Sequence, residues 1–255
     1  MGQTSDTDRM QVPSDRAAIF RACTDYVESW LDGDAERMAS CLHPALAKRA
    51  AIDPDTGSTE LNEAPFEHMT TTSVAGGPKP YGREIDIDIL DMVDGIATVR
   101  VLSEPWIDLV HLARFGDRWL IVNALYEARP QADHAGDPAG VELALEDYSR
   151  SWFDRDGDAI RRSVHPGLAE RSVIDAASGS LALEENTFEE LLAIVAEGPA
   201  EPVDRRWDAT VLDVTGDVAS GKVAMGSWDV YLHLARFGDR WMTVNILYRT
   251  KEAPA

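Results

Sequence analysis

Lysine is scarce in this chain: only four of the 24 basic residues are Lys, against 45 Asp and Glu, and the formal charge is −21. Such a surface repels phosphate, and no local Lys/Arg cluster offsets it, so nucleic-acid binding is not expected. It suits high salt, where self-repulsion is screened, and equally a high-GC genome in a moderate habitat. Long hydrophobic runs are missing: no stretch of 18 apolar residues occurs, so no membrane span is expected. The opening MGQTSDTDRMQVPSDR has neither a basic start nor an apolar core, so no secretory leader is expected and the location reads as cytoplasmic. Met1-Gly2 resembles the start of a myristoylation signal, but Ser5 falls one place early and Asp6 holds the position that needs Ser or Thr.

Cysteine is equally sparse. Cys23 and Cys41 are the only two, and they are read as free thiols rather than a bridge. The six histidines, at 43, 68, 111, 134, 165 and 233, show no H-x-x-x-H spacing and no cysteine pair nearby, so no metal site is expected. GGPKP at 76–80 reads as a plain turn rather than a phosphate loop, and G-x-S-x-G is absent. No cofactor is implied.

What is present is a duplication. HLARFGDRW occupies 111–119 and recurs letter for letter at 233–241, a spacing of 122. At that offset DYVESWLDGD (25–34) falls on DYSRSWFDRD (147–156), and HPALAKR (43–49) on HPGLAER (165–171). No gap is needed between 25–129 and 147–251, where roughly 40 of 105 positions are identical. Each copy is long enough for its own core. The expected division is domain 1 over 12–130, a linker over 131–138 within the polar, Pro/Gly-containing stretch ARPQADHAGDPAG, and domain 2 over 139–251.

Both copies carry the same patterns. Ile19, Cys23, Tyr26, Val27 and Trp30 at helical spacing predict a helix over 15–32, repeated from about 139 to 154. Short helices over 35–42 and 157–164 should end at the His-Pro pairs, followed by brief strands at 46–52 and 168–174 and third helices at 63–73 and 185–196. Period-two alternation then takes over. Val93-Asp94-Gly95-Ile96 and Thr215-Gly216-Asp217-Val218 are hairpin signals, and Phe-Gly-Asp-Arg, with Gly first, is a type II′ hairpin between two long strands. Three helices followed by a four-stranded meander make an α+β unit, a curved antiparallel sheet wrapped around helices, with a concave face that is either filled or hollow.

Those residues carry a resemblance. Asp25-Tyr26 with Trp30, His43-Pro44 and the block from Trp106 to Tyr126, together with Asp147-Tyr148, Trp152, His165-Pro166 and the block from Trp228 to Tyr248, resemble the NTF2-like, cone-shaped α+β superfamily. More narrowly the chain is similar to the lumazine-binding-like and SnoaL-like group. The resemblance covers nearly all of both copies and implies the cystatin-like fold far more strongly than any activity, since this fold hosts isomerases, dehydratases, cyclases and proteins without chemistry. Members commonly dimerise through their open sheet faces, so a tandem chain implies a pseudo-dimer made within one molecule.

Polar and aromatic residues retained in both copies are the site candidates. His43 and His165 stand before Pro at a helix end, as general bases or as helix-terminating side chains. His111 and His233 share the more apolar face of a long strand, where they line a pocket or are buried between domains. Asn123 and Asn245 interrupt apolar strands and, by alternation, share a face with Trp119 and Trp241; a buried carboxamide there orients a ligand or ties the core together. Tyr26, Trp30, Tyr148 and Trp152, with Trp106 and Trp228, could stack a ligand ring or fill the core. Asp86/Asp208 and Asp91/Asp213 are the carboxylates kept in both copies. Asp108, opposite Val230, is an acid–base candidate in copy one only. The function expected is binding of a small apolar or aromatic molecule in one or both cones. The alternative is a cofactor-independent lyase or isomerase with a pocket His as base, and a purely structural role would leave both cones solid.

Overall fold

A computed structural model describes residues 6–52, 58–129, 136–175, 181–198 and 205–250. The first copy opens with helix α1 (Asp6–Asp32), then α2 (Ala35–Cys41), strand β1 (Leu42–Ala51), β2 (Leu61–Glu63) and a short α3 (Phe66–Thr70). It closes with the meander β3 (Asp86–Val93), β4 (Ile96–Leu102), β5 (Trp106–Phe115) and β6 (Arg118–Ala128). The second copy repeats this order as α4 (Pro138–Asp154), α5 (Gly157–Ser163), β7 (Val164–Asp175), β8 (Leu181–Asn186), α6 (Phe188–Glu197), β9 (Trp207–Thr215), β10 (Val218–Met225), β11 (Trp228–Phe237) and β12 (Arg240–Thr250). Most of the expected linker lies outside the described residues; Pro138, its last residue, already begins α4 with Asp137 as N-cap.

Each copy is an α+β domain whose helices pack on a curved, unclosed sheet. The strand orders are β2-β1-β6-β5-β4-β3 and β8-β7-β12-β11-β10-β9. The meander is antiparallel as expected. Two further strands extend it: β1 and β7 run parallel to β6 and β12, and β2 and β8 pair antiparallel at the edge. The His-Pro pairs therefore do not cap helices; the chain passes straight from α2 and α5 into β1 and β7, with His43 and His165 already in strand. The hairpin signals form turns where the sequence places them, with Gly116 and Gly238 both at φ 66°, a conformation glycine adopts without Cβ strain.

Curvature comes from bulges at matched positions. The β5–β6 register slips between His111 and Leu112, and β11–β12 slips between His233 and Leu234, leaving Val122 and Val244 as extra residues. On the concave side lie the two domain cores, one around Cys23, Leu31, Met38, Leu112 and Ile121 and the other around Leu145, Ile160, Leu191, Leu234 and Ile246.

The convex faces meet. Ile96, Ala113, Val122 and Phe115 pack with Tyr231, Leu247, Val173 and Leu183, and their counterparts 122 residues away form the mirror cluster of Val218, Ala235, Val244 and Phe237 with Leu109, Leu125, Ala51 and Leu61. Polar contacts obey the same pseudo-twofold. Thr98 and Ser220 hydroxyls meet at 2.9 Å, and the rings of His111 and His233 stack at 3.5 Å. Lys222 Nζ donates to Asp91 at 2.5 Å, mirrored by Arg100 Nη1 to Asp213 at 2.6 Å. The tandem chain is an intrachain pseudo-dimer, its exposed sheet faces covered by each other.

Candidate functional site

On the concave side each domain keeps an unfilled space. In domain 1 a cavity of about 130 Å³ lies between α1, α3 and the sheet. Tyr26 and Trp30 reach it from consecutive turns of α1, Trp106 and Asp108 from alternate positions of β5, Lys48 from β1 and Tyr126 from β6. Trp30 and Trp106 meet edge to face at 6.4 Å, and Trp106 meets Tyr126 the same way at 5.5 Å. At the base Tyr26 donates its hydroxyl proton to Asp108 at 2.8 Å, and Lys48 Nζ donates to Asp108 at 2.5 Å and to Tyr26 Oη at 2.6 Å. The same ammonium lies 3.8 Å from the Tyr126 ring centroid and 5.3 Å from that of Tyr26. Burial pushes the Tyr26 phenol well above its ordinary range, reinforced by the Asp108 charge, and pulls Lys48 down against the pull of Asp108. This is a satisfied cluster: every charge faces its opposite and every donor has an acceptor.

The matching space in domain 2 is larger, about 280 Å³. Tyr148, Trp152, Trp228 and Tyr248 repeat the aromatic frame. Tyr148 and Trp152 meet at 6.3 Å, and Trp152 and Trp228 at 6.0 Å. The polar centre is different. Lys48 is replaced by Glu170, Asp108 by Val230 and Ser103 by Met225, while Glu190, at the position of His68, does not line the cavity. Glu170 is 2% exposed, and its Oε2 has no hydrogen-bond partner. Desolvation pushes this carboxyl up to about 7; Glu190 adds to the rise, and a hydrogen bond from Asn186 opposes it.

Of the residues singled out by sequence, the fold gathers Tyr26, Trp30, Trp106 and Asp108 in one cavity and Tyr148, Trp152 and Trp228 in the other. The remaining candidates lie elsewhere. His43 stacks on Phe115 at 4.8 Å and accepts from the Ala45 N–H; its pKa is lowered mainly by burial. His165 stacks on Phe237, accepts from Gly167 at Nδ1 and donates from Nε2 to the Thr59 carbonyl of the other domain at 2.6 Å. Neither is among the residues that line these two cavities. Asp108 is held by Lys48 and Tyr26 at the base of the first cavity, whose lining also includes His68.

His111, His233, Asn123 and Asn245 all face the interface between the sheets. Asn123 Nδ2 donates to the Ile246 carbonyl at 3.1 Å and Asn245 Nδ2 to the Ala124 carbonyl at 3.2 Å; Arg171 and Arg49 donate to their respective carboxamide oxygens. The bulges at Val122 and Val244 break the alternation that would have put Asn123 and Asn245 beside Trp119 and Trp241. The same slip turns Tyr126 and Tyr248 inward, which is why unbroken alternation misses them. Lys48 and Glu170 escaped for another reason. Selection of residues retained in both copies discards positions that differ, and here the difference is the signal.

Both cysteines are free and buried. Among the described residues no group of three His, Cys, Asp or Glu is placed to hold a metal, and no helix is long and apolar enough to cross a membrane.

No curated protein matches the chain. Among solved structures, an NTF-2-like protein of unknown function from Silicibacter pomeroyi is similar at 21% identity and a TM-score of 0.39, covering 45% of this chain and 95% of that one. An NTF2-like protein of unknown function from Shewanella baltica is similar at 17% and 0.38, covering 51% and 100%. A protein described as a putative scytalone dehydratase, from Novosphingobium aromaticivorans, is similar at 16% and 0.34, covering 49% and 89%. The family model described as "Putative lumazine-binding" matches residues 14–127 and again 137–249. With both copies matched, the chain belongs to that family.

Proposed function

We propose that the protein is a tandem small-molecule binder, each cone holding a compact, largely apolar or aromatic molecule without changing a bond in it. One observation carries this reading: four aromatic side chains around a cavity recur in both cones, while the polar groups between them do not. A reaction common to both would need the same acid–base groups in both. A binding frame needs only its rings, because stacking and desolvation select by shape.

The lyase or isomerase reading is supported, in cone 1 alone, by the Tyr26–Asp108–Lys48 cluster. Its geometry argues for a resting structure rather than a poised base: the carboxylate already accepts from two donors, and the phenol holds its proton tightly. The binding reading is tested by titrating the full chain with 2-naphthol and with indole, followed by tryptophan fluorescence and native mass spectrometry. Saturable binding of up to two molecules per chain is expected, with Trp30→Ala and Trp152→Ala each removing one site. Absence of saturable binding by either probe overturns the reading.

A further inference from the structure

The two cones differ in one chemical respect that points to a ligand class. In cone 1 the aromatic frame surrounds a cation, and that cation belongs to the protein: the Lys48 ammonium lies over Tyr126 and pairs with Asp108. In cone 2 the frame is kept and the cation is gone. The position of Lys48 carries Glu170; that of His68, which lines cone 1, carries Glu190, whose carboxylate caps α6 through Thr187 and does not line cone 2. Within the cavity the one lysine of cone 1 has become a carboxylic acid, and the carboxylate that neutralised Lys48 has become Val230.

We infer that cone 2 is a binding site for a small organic ammonium ion, a quaternary or protonated amine whose charge sits where Lys48 sits in cone 1, among Tyr148, Trp152, Trp228 and Tyr248 and against Glu170. The inference rests on the binding reading above and gives it a ligand class. Ring faces attract a cation through their quadrupole, and the attraction strengthens when the cation is desolvated. Glu170 supplies the formal charge. It is buried, one of its oxygens lacks a partner, and among the described residues it forms no ion pair, an arrangement costly for a carboxylate unless something positive arrives. Arg155 passes Gly198 at the rim but does not pair with it. The cavity of about 280 Å³ has room for a compact headgroup with a short apolar body, and the exposed Ile194 marks its open side. Across the whole molecule a charge of −21 raises the local concentration of cations and disfavours anionic ligands.

The test uses two probes of one shape, choline and 3,3-dimethylbutan-1-ol, in which carbon replaces the charged nitrogen. Both are titrated into the full chain at pH 8 by calorimetry. Choline is expected to bind once per chain and at least tenfold tighter than the alcohol. Glu170→Gln should erase that preference. The double change E170K/V230D, which transplants the ion pair of cone 1, should abolish choline binding with the circular dichroism spectrum unchanged. Equal affinity for the two probes, or a preference that survives Glu170→Gln, overturns the inference; the comparison on the unaltered protein holds even if a variant fails to fold. If choline fails to bind while 2-naphthol or indole still does, the ammonium site falls and the binding reading stands. If none of these probes binds, both fall.

Discussion

The exchange of Lys48 for Glu170 is, among the described residues, the one difference in formal charge sign between the two cavity linings. Lys48 and Glu170 occupy one position of the repeat, on the same strand and facing the same rings, yet one is neutralised on the spot and the other is left with an unpartnered oxygen. Folding raises the Glu170 carboxyl to about 7 from its ordinary 4.5, mainly through desolvation. The stability linked to its neutral form is full below the unfolded value and is lost as pH rises through about 7. Glu170→Gln removes that loss. The variant should be more stable than the parent at pH 8 by about 3 kcal/mol, the free-energy equivalent of such a shift, and the gap should close by pH 4.5. Urea unfolding at the two pH values measures it. Residues of this kind were only partly legible in the sequence. The rings of Tyr26, Trp30, Trp106 and their partners stood out because both copies keep them, whereas a buried Lys matched by a buried Glu looks, in one sequence, like ordinary surface drift.

At the scale of elements the hairpins were the most legible feature, because two-residue turns with glycine leave a local signature that no distant contact overrides. The bulges at Val122 and Val244 were not. A bulge is one extra residue in a strand of otherwise suitable side chains, and nothing in VNALY or VNILY announces it. Its consequence is large, since it exchanges the faces of Asn123 and Tyr126 between interface and cavity. The strands β2 and β8 escaped for a similar reason: each is a short edge strand whose pairing depends on β1 or β7 rather than on its own alternation. Asn123 offers the test of this element's role. Its side chain donates to the Ile246 carbonyl and accepts from Arg171, both across the interface, so Asn123→Ala leaves a buried carbonyl and part of a guanidinium unpaired. A loss of about 2–3 kcal/mol is expected in thermal or urea unfolding, with the cavities unaffected. A loss below about 0.5 kcal/mol would mean that the carboxamide does not hold the sheets together.

For the whole molecule the duplication itself explains most of the architecture. A sheet with an apolar convex face needs a cover, and the second copy supplies it, so residues related by 122 meet each other or meet mirror-image partners. The stacked His111 and His233 sit near the centre of this contact. Burial lowers both, His233 to about 3 and His111 well below its ordinary range, the latter with help from His233 and Arg171. Unfolding lets each take up a proton at mildly acidic pH. Their contribution is therefore fully present above about 6.5 and is lost as pH falls through the unfolded value toward about 3. Glu127 and Glu170, both raised to about 7, act in the opposite sense over part of the same range, so the parent's own profile is a sum of opposed slopes. The double variant H111F/H233F isolates the histidine part. Relative to the parent it should gain stability as pH falls from 7 to 5, by up to about 1.4 kcal/mol per pH unit for each histidine replaced. A pH-independent difference in urea midpoints would contradict the stacked, neutral pair.

The central claim is that the two concave faces are ligand cavities rather than solid cores. A crystal structure of the full chain grown with 2-naphthol tests it most directly. The account predicts density for a planar molecule against Trp152 and Trp228 in the larger cone, with Tyr148 and Tyr248 at its edges. Trp152 and Trp228 closed over a cavity filled by the protein's own side chains, with their counterparts Trp30 and Trp106 doing the same, would contradict it.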